Sequence, residues 1–162
     1  AGTWGWCTPE EGHEGMTTEV HVVTAFLRQG GEILLLRRSE RVGSYRGCWA
    51  AVSGYLEGPD ALEQALREIE EETGVARAEL RLASAGVPLT VDDATLGRRW
   101  IVHPFLFDLA RRPPVRLDWE HEAHRWVTPE GLAALPTVPR LAAALQACWP
   151  DALAAAREDR RE

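Results

Sequence analysis

Residues 54–75 read Gly54-Tyr-Leu-Glu-Gly-Pro-Asp-Ala-Leu-Glu-Gln-Ala-Leu-Arg-Glu-Ile-Glu-Glu-Glu-Thr-Gly-Val75. A glycine-bearing loop runs into an amphipathic helix dense in carboxylates. With Arg67 at zero on a wheel of about 100° per residue, Glu71, Glu68 and Glu72 fall at about 40°, 100° and 140°. Leu62, Ile69 and Leu66 fall between about 200° and 260°, the expected core side. Glu70 points away, at about 300°. Three carboxylates share one quadrant and the opposite face is apolar. Asp60 before Ala-Leu-Glu is an N-cap with Glu63 at the capping-box spacing, and Gly74 is a C-terminal stop.

Carboxylates so placed repel one another, Glu68 with Glu72 at i,i+4 and Glu68 with Glu71 at i,i+3. A solvated acidic face is the ordinary outcome for a charge run. A hard divalent cation is the alternative, because carboxylate oxygens are the ligands that Mg²⁺, Mn²⁺ or Ca²⁺ prefer. The residues around the glutamates favour the cation.

Arg67-Glu68-Ile69-Glu70-Glu71-Glu72-Thr73-Gly74-Val75 resembles the core of the Nudix box: Arg-Glu, an aliphatic residue, any residue, Glu-Glu, any residue, Gly and an aliphatic residue. Every fixed position in this half is present. The resemblance runs over roughly residues 18–148. Arg37-Arg38-Ser39 resembles the basic pair after the family's second strand, and Trp126-Val127-Thr128-Pro129-Glu130 its late strand-then-helix. The first half of the box departs from the pattern. Its glutamate position holds Pro59 and its glycine position Ser53, so Gly54 takes the glycine role in a loop one residue short.

The resemblance implies an α/β/α sandwich and hydrolysis of a diphosphate linkage in a nucleoside or pterin di- or triphosphate derivative. Glu68, Glu71 and Glu72 would hold Mg²⁺ or Mn²⁺, with the Gly54 carbonyl as a further ligand because glycine permits close approach. Metal-bound water is activated by a lowered pKa, and a glutamate takes its proton. That base is open between the box, with Glu71 foremost, and a later loop. Arg67, at i,i+4 to Glu71, would orient that carboxylate. In the later loop, Glu120-His121 with Arg125-Trp126 resembles family members acting on dihydroneopterin triphosphate and on dinucleoside polyphosphates, which favours Glu120 over Glu122 as a base and metal ligand. His121 and His124 are further candidate bases, although a lone histidine is more often structural. Arg37, Arg38 and Arg46 could hold phosphates, and Tyr45, Trp49 or Trp100 could stack on a ring. Trp49-Ala-Ala-Val-Ser-Gly54 is similar to the dihydroneopterin triphosphate group. A non-catalytic nucleotide-binding or regulatory module on the same fold is the competing reading, since fold alone does not fix function.

The rest of the chain bounds these expectations. Its 162 residues suffice for one real core. A hydrophobic fraction of 45% beside 27% charged residues is that of a globular protein. A net charge of −7 argues against nonspecific nucleic-acid or anionic-membrane binding. All eighteen basic residues are arginine, so any phosphate contact comes from Arg, backbone or metal. Cys7, Cys48 and Cys148 show no metal-type spacing. No apolar run approaches a membrane span, and the N-terminus lacks the pattern of a secretory signal. The expectation is therefore a cytoplasmic protein with reduced thiols, a small nucleotide-like partner, and a homodimer left open.

Residues 1–16, with Trp4 and Trp6 among Gly, Pro and acids, predict a loose extension, with the domain spanning residues 17–150 and a charged tail over 151–162. Within the domain, strands are expected at 20–27, 33–36, 49–53, 80–91, 99–109 and 123–127. Gln29-Gly30-Gly31-Glu32 and Asp92–Gly97 are expected turns. A short helix is expected at 129–135, with Pro favoured in its first turn, and a longer terminal one at 138–149. This order reads as an α+β fold with a mixed sheet between helices.

Overall fold

The computed structural model describes residues 18–94 and 97–153. The expected extension, the charge-rich end of the tail and part of the Asp92–Gly97 turn lie outside them. Eight strands form one sheet: β1 (Thr18–Gln29), β2 (Glu32–Arg38), β3 (Trp49–Ala50), β4 (Val52–Tyr55), β5 (Arg81–Ala85), β6 (Leu89–Asp93), β7 (Arg98–Asp108) and β8 (His121–Val127). Helix α1 spans Ala61–Thr73 and α2 spans Leu141–Cys148, with 3₁₀ turns at Arg77–Glu79 and Pro129–Ala134.

The main path of the sheet is β3-β2-β1-β7-β5, with β4 on β1, β6 on β7 and β8 on β2. Strands β1 and β7 are parallel from Thr18↔Arg98 to Arg28↔Asp108, and the other strand pairs are antiparallel. The sheet is mixed, as expected. Alternation along β1 divides the core. Val23, Ala25 and Leu27 pack towards Ile69 of α1, and Val22 and Phe26 towards Leu141 and Leu145 of α2. Helices on both faces complete an α/β/α sandwich. Arg28 clamps the end of the parallel pair, donating Nε to Asp108 Oδ1 at 2.7 Å and Nη2 to Oδ2 at 2.9 Å, while its guanidinium lies 4.7 Å from the Trp149 ring.

Several elements differ from the sequence reading. The strand expected over 80–91 is two strands, because Gly86 and Pro88 interrupt it. A Cβ on Gly86 would lie 2.6 Å from the Ala147 carbonyl, so its backbone lies hard against the end of α2, and prolines break a ladder. Asp92 and Asp93 belong to β6, opposite Arg99 and Arg98. The strand expected over 49–53 is also two: β3 pairs with β2 and β4 with β1. Strand β8 begins earlier, at His121, and α2 later, at Leu141. Arg140, at φ 65°, is left-handed and ends any earlier helical run, and the Val138 N–H donates to the Trp49 carbonyl at 3.0 Å. The Pro129 helix is 3₁₀. Ala152, expected in the tail, is buried against the core.

Candidate active site

Helix α1 starts and stops as its sequence dictates. Asp60 Oδ1 accepts from the Glu63 N–H at 3.1 Å, and Gly74, at φ 75°, donates its N–H to the Glu70 carbonyl. The reciprocal half of the capping box is absent, because the Glu63 carboxylate takes Arg77 at 2.8 and 3.1 Å. The buried stripe is Gln64, Ala65, Glu68, Ile69, Glu72 and Thr73. Glu68 and Glu72 therefore do not stand in solvent opposite an apolar face. They flank Ile69 and point into the sheet, while Glu70 and Glu71 are exposed.

Strand β4 receives them. Ser53 N–H donates to Glu72 Oε2 at 3.1 Å. A Cβ on Gly54 would lie 2.3 Å from the Glu68 carboxyl carbon, so only glycine leaves room for that carboxylate. Gln64 donates to Glu68 Oε1 at 3.0 Å and accepts from the Glu57 N–H at 3.2 Å. These ties run α1 antiparallel to β4.

The segment before β8 closes the cluster. Glu120 and His121 are buried. His121 Nδ1 lies 3.0 Å from Asp118 Oδ1, and its Nε2 lies 3.5 Å from Glu72 Oε1. The Glu120 N–H donates to the same Asp118 oxygen at 3.2 Å. Residues Arg38 and Ser39 hold this segment from β2. The Ser39 N–H donates to the Glu120 carbonyl at 2.8 Å, and Ser39 Oγ to the Trp119 carbonyl at 2.9 Å. Arg38, fully buried, donates Nε to the Ser44 carbonyl and brings positive charge to Glu120.

Burial of like charges raises proton affinity. Burial, then the charge of Glu71, pushes the Glu68 carboxyl up to about 7. Burial and Asp118 push Glu120 up to about 7, against the pull of Arg38. Glu72 is raised by burial, then by Glu68, Glu120 and Asp118. Glu68 Oε2, Glu72 Oε1, Glu120 Oε1 and Asp118 Oδ2 are buried without a hydrogen-bond partner. Such atoms are expensive in a folded chain. Among the described residues, no group of three or more His, Cys, Asp or Glu side chains is placed to hold a metal ion as it stands.

The NUDIX domain family model matches residues 17–148, most of the chain. The chain belongs to the Nudix family. The enzyme class read from its sequence, a Nudix pyrophosphohydrolase, stands with this match. The solution structure of the E. coli ORF135 protein is similar over 90% of this chain and 98% of its own, at 27% identity and a TM-score of 0.64. A MutT Nudix hydrolase from Burkholderia pseudomallei is similar over 80% of this chain and 98% of its own, at 26% identity and a TM-score of 0.64. The E. coli dihydroneopterin triphosphate pyrophosphohydrolase shares the fold over 81% of this chain and 95% of its own, at 19% identity and a TM-score of 0.65.

Around the Nudix helix, the predicted residues separate by place. Glu68, Glu72, Gly54 and Glu120 come together, with Arg38 beside them. Glu71 stands exposed one turn from Glu68 and bears electrostatically on both Glu68 and Glu120. Arg37, Arg46 and Tyr45 lie outside the cluster. Arg37 is 3.2 Å from the outward-facing Glu122, and Arg46 Nε donates to the Val42 carbonyl at 2.9 Å. Exposed Arg67 has its ion pair with Glu57, at 3.5 Å. Trp49 packs against the α2-side core and Trp100 is fully buried. Arg38, a candidate phosphate ligand, is fully buried beside Glu120. Sequence reasoning misses Asp118 and Gln64, and reads His121 as more often structural than a base. The i,i+3 spacing of Asp118 and His121 around Glu120 was the available signal. No helix among the described residues is long and apolar enough to cross a membrane.

Proposed function

We propose that this chain hydrolyses a diphosphate linkage in a nucleoside or pterin di- or triphosphate derivative, with Mg²⁺ or Mn²⁺. The observation that carries the reading is the set of orphaned buried oxygens on Glu68, Glu72 and Glu120. These are hard oxygen donors, held around a glycine that leaves the Glu68 carboxylate its space. Carboxylate oxygens are the donors a hard divalent cation prefers, and Mg²⁺ commonly takes only one or two carboxylates and completes its shell with water and substrate phosphate. When bound, the metal neutralises phosphate charge and makes water a better nucleophile.

The residues divide the remaining work. Glu68 and Glu72, with Glu71 and the Gly54 carbonyl, would hold the cation. Glu120, supplied by the segment before β8, would accept the proton of the attacking water, since an affinity raised to about 7 suits a general base. Asp118 fixes His121, whose Nε2 approaches Glu72 Oε1 to 3.5 Å. Arg67 supports the helix from its exposed side through Glu57. Arg37 and Arg46 form a cationic rim for the outer phosphates, without the rigidity of a buried pair.

The test is product release from nucleoside triphosphates, dinucleoside polyphosphates and a pterin triphosphate, with Mg²⁺, with Mn²⁺ and in chelator. Turnover of at least one class that vanishes in chelator is expected. Tight nucleotide binding with no turnover under any metal would make the chain a binding module.

A further inference from the structure

Among the described residues, Trp49, Trp100, Trp126 and Trp149 pack against one or other half of the core. The last three also have an arginine 4.7 to 5.5 Å from the ring centre. Trp119 differs from all of them. It belongs to neither half of the core, its ring has no stacked or cationic neighbour among the described residues, and it is 46% exposed. A lone hydrophobe at a protein surface is ordinary. The place of this one is not. Asp118 and Glu120, on either side of it, face the carboxylate cluster. Its backbone is fixed as well, since Ser39 donates Oγ to the Trp119 carbonyl at 2.9 Å and N–H to the Glu120 carbonyl at 2.8 Å. The indole is thus an exposed ring on a held segment, one residue from the proposed base.

The same Ser39 hydroxyl accepts the Arg41 N–H at 3.3 Å, so Arg41 and Trp119 are joined through one side chain. The arginines near Arg41 are engaged: Arg37 with Glu122, Arg38 with the Ser44 carbonyl and Arg46 with the Val42 carbonyl. Arg41 is exposed, and its guanidinium has no hydrogen bond or ion pair among the described residues. An indole face stacks on any flat base, and a guanidinium takes phosphate. A phosphate chain held between α1 and Glu120 meets both groups where it leaves on the Glu120 side. A nucleoside triphosphate has one ring, and its other end is bare phosphate, for which an indole does nothing.

We propose that Trp119 and Arg41 form an outer site for the far end of the substrate. The indole stacks on a second flat ring, and the guanidinium holds the phosphate next to it. The chain thereby favours polyphosphates with a nucleoside at each end over those with a nucleoside at one. The inference rests on the pyrophosphohydrolase reading for the cleavage of such a compound, but binding at the outer site does not require turnover.

The experiment is calorimetric titration of the whole chain, in Mg²⁺, with methylene-bridged analogues of diadenosine tetraphosphate and of adenosine tetraphosphate, which bind without being cleaved. The diadenosine analogue is expected to bind tighter by about 10-fold or more, the scale of one base stacked on an aromatic side chain. Trp119→Ala should bring the two within about twofold of each other by weakening the diadenosine analogue alone. Trp119→Phe keeps a ring and should restore most of the difference. Arg41→Gln removes the charge and should weaken both analogues by a similar factor. Equal affinities in the unaltered chain, binding of neither analogue, a difference that survives Trp119→Ala, or an Arg41→Gln variant that binds both as before overturns the proposal. The cleavable compounds are assayed separately for metal-dependent hydrolysis. No turnover there, with the preference for the second nucleoside intact, sinks the catalytic reading and leaves this one standing, and turnover with equal affinities does the reverse.

Discussion

Glu72 and Glu70 are two residues apart on one helix, yet one is fully buried against Ser53 and His121 and the other lies in solvent. Glu72→Gln should therefore remove nearly all metal-dependent turnover while the fold persists, and Glu70→Gln should leave it close to wild type. Steady-state rates of the two variants on the best substrate check this, and similar rates would refute the assignment. Glu120 and Glu122 offer a second pair. Glu120 is buried beside Asp118 and Arg38, whereas Glu122 faces out to Arg37. Glu120→Gln is expected to lower kcat by about 10²-fold or more, the scale of a lost general base, with a smaller effect on KM. Glu122→Gln should do much less, and a large loss from it alone would move the role there. Both glutamates of the second pair could be named from the sequence, and a family resemblance ranked them. Burial separates them, and burial depends on which residue β8 turns inward.

At the scale of elements, helix α1 was legible almost to its ends, because cap, stop and apolar spacing agree within one short stretch. The inward turn of Glu68 and Glu72 was not legible. A wheel gives relative direction around a helix axis, but the partner surface decides which part of the rim is covered. Here that surface is β4, and its glycine is what admits a carboxylate between helix and sheet. Gly54→Ala should force the Glu68 carboxylate aside, destabilise the fold by about 1–3 kcal/mol and depress turnover more than binding. Urea denaturation and kinetics read the two effects, and an unchanged kcat would show that the close approach is dispensable. The break at Gly86-Val87-Pro88 was missed for a related reason. The sequence carries both breakers, but an apolar run on either side of them hides the interruption until α2 is seen to press on Gly86. Asp118 escaped notice because its role is to orient a histidine, a relation between three residues that no single-residue pattern carries.

For the molecule as a whole, the cluster sets how stability answers to pH. Glu68 and Glu120 have an ordinary value near 4.5 and are raised to about 7 in the fold, so between those values the folded chain binds more protons than the unfolded one. Stability of the metal-free protein is thus expected to fall as pH rises from about 4.5 through about 7. Asp108 is lowered by its hydrogen bonds from Arg28, so its contribution is present above the ordinary carboxylate range and lost at the acid end. Millimolar Mg²⁺ or Mn²⁺ should raise the melting point most at the alkaline end, because a ligand of the native state stabilises it by mass action. Equal midpoints with metal and with chelator at pH 8 would count against the site. The cluster also has a place in time. One half comes from α1 and β4, near in sequence, and the other from residues 118–121, which reach it only when β8 lies down on β2. Contacts of such wide sequence separation form late. The repulsion between the two halves, unlike that within α1, is therefore met only at closure. A cation that bridges the two halves should then slow unfolding and leave the folding rate nearly unchanged. Chevron measurements with and without Mg²⁺ will show whether only the unfolding limb moves, as a latch fastened last requires.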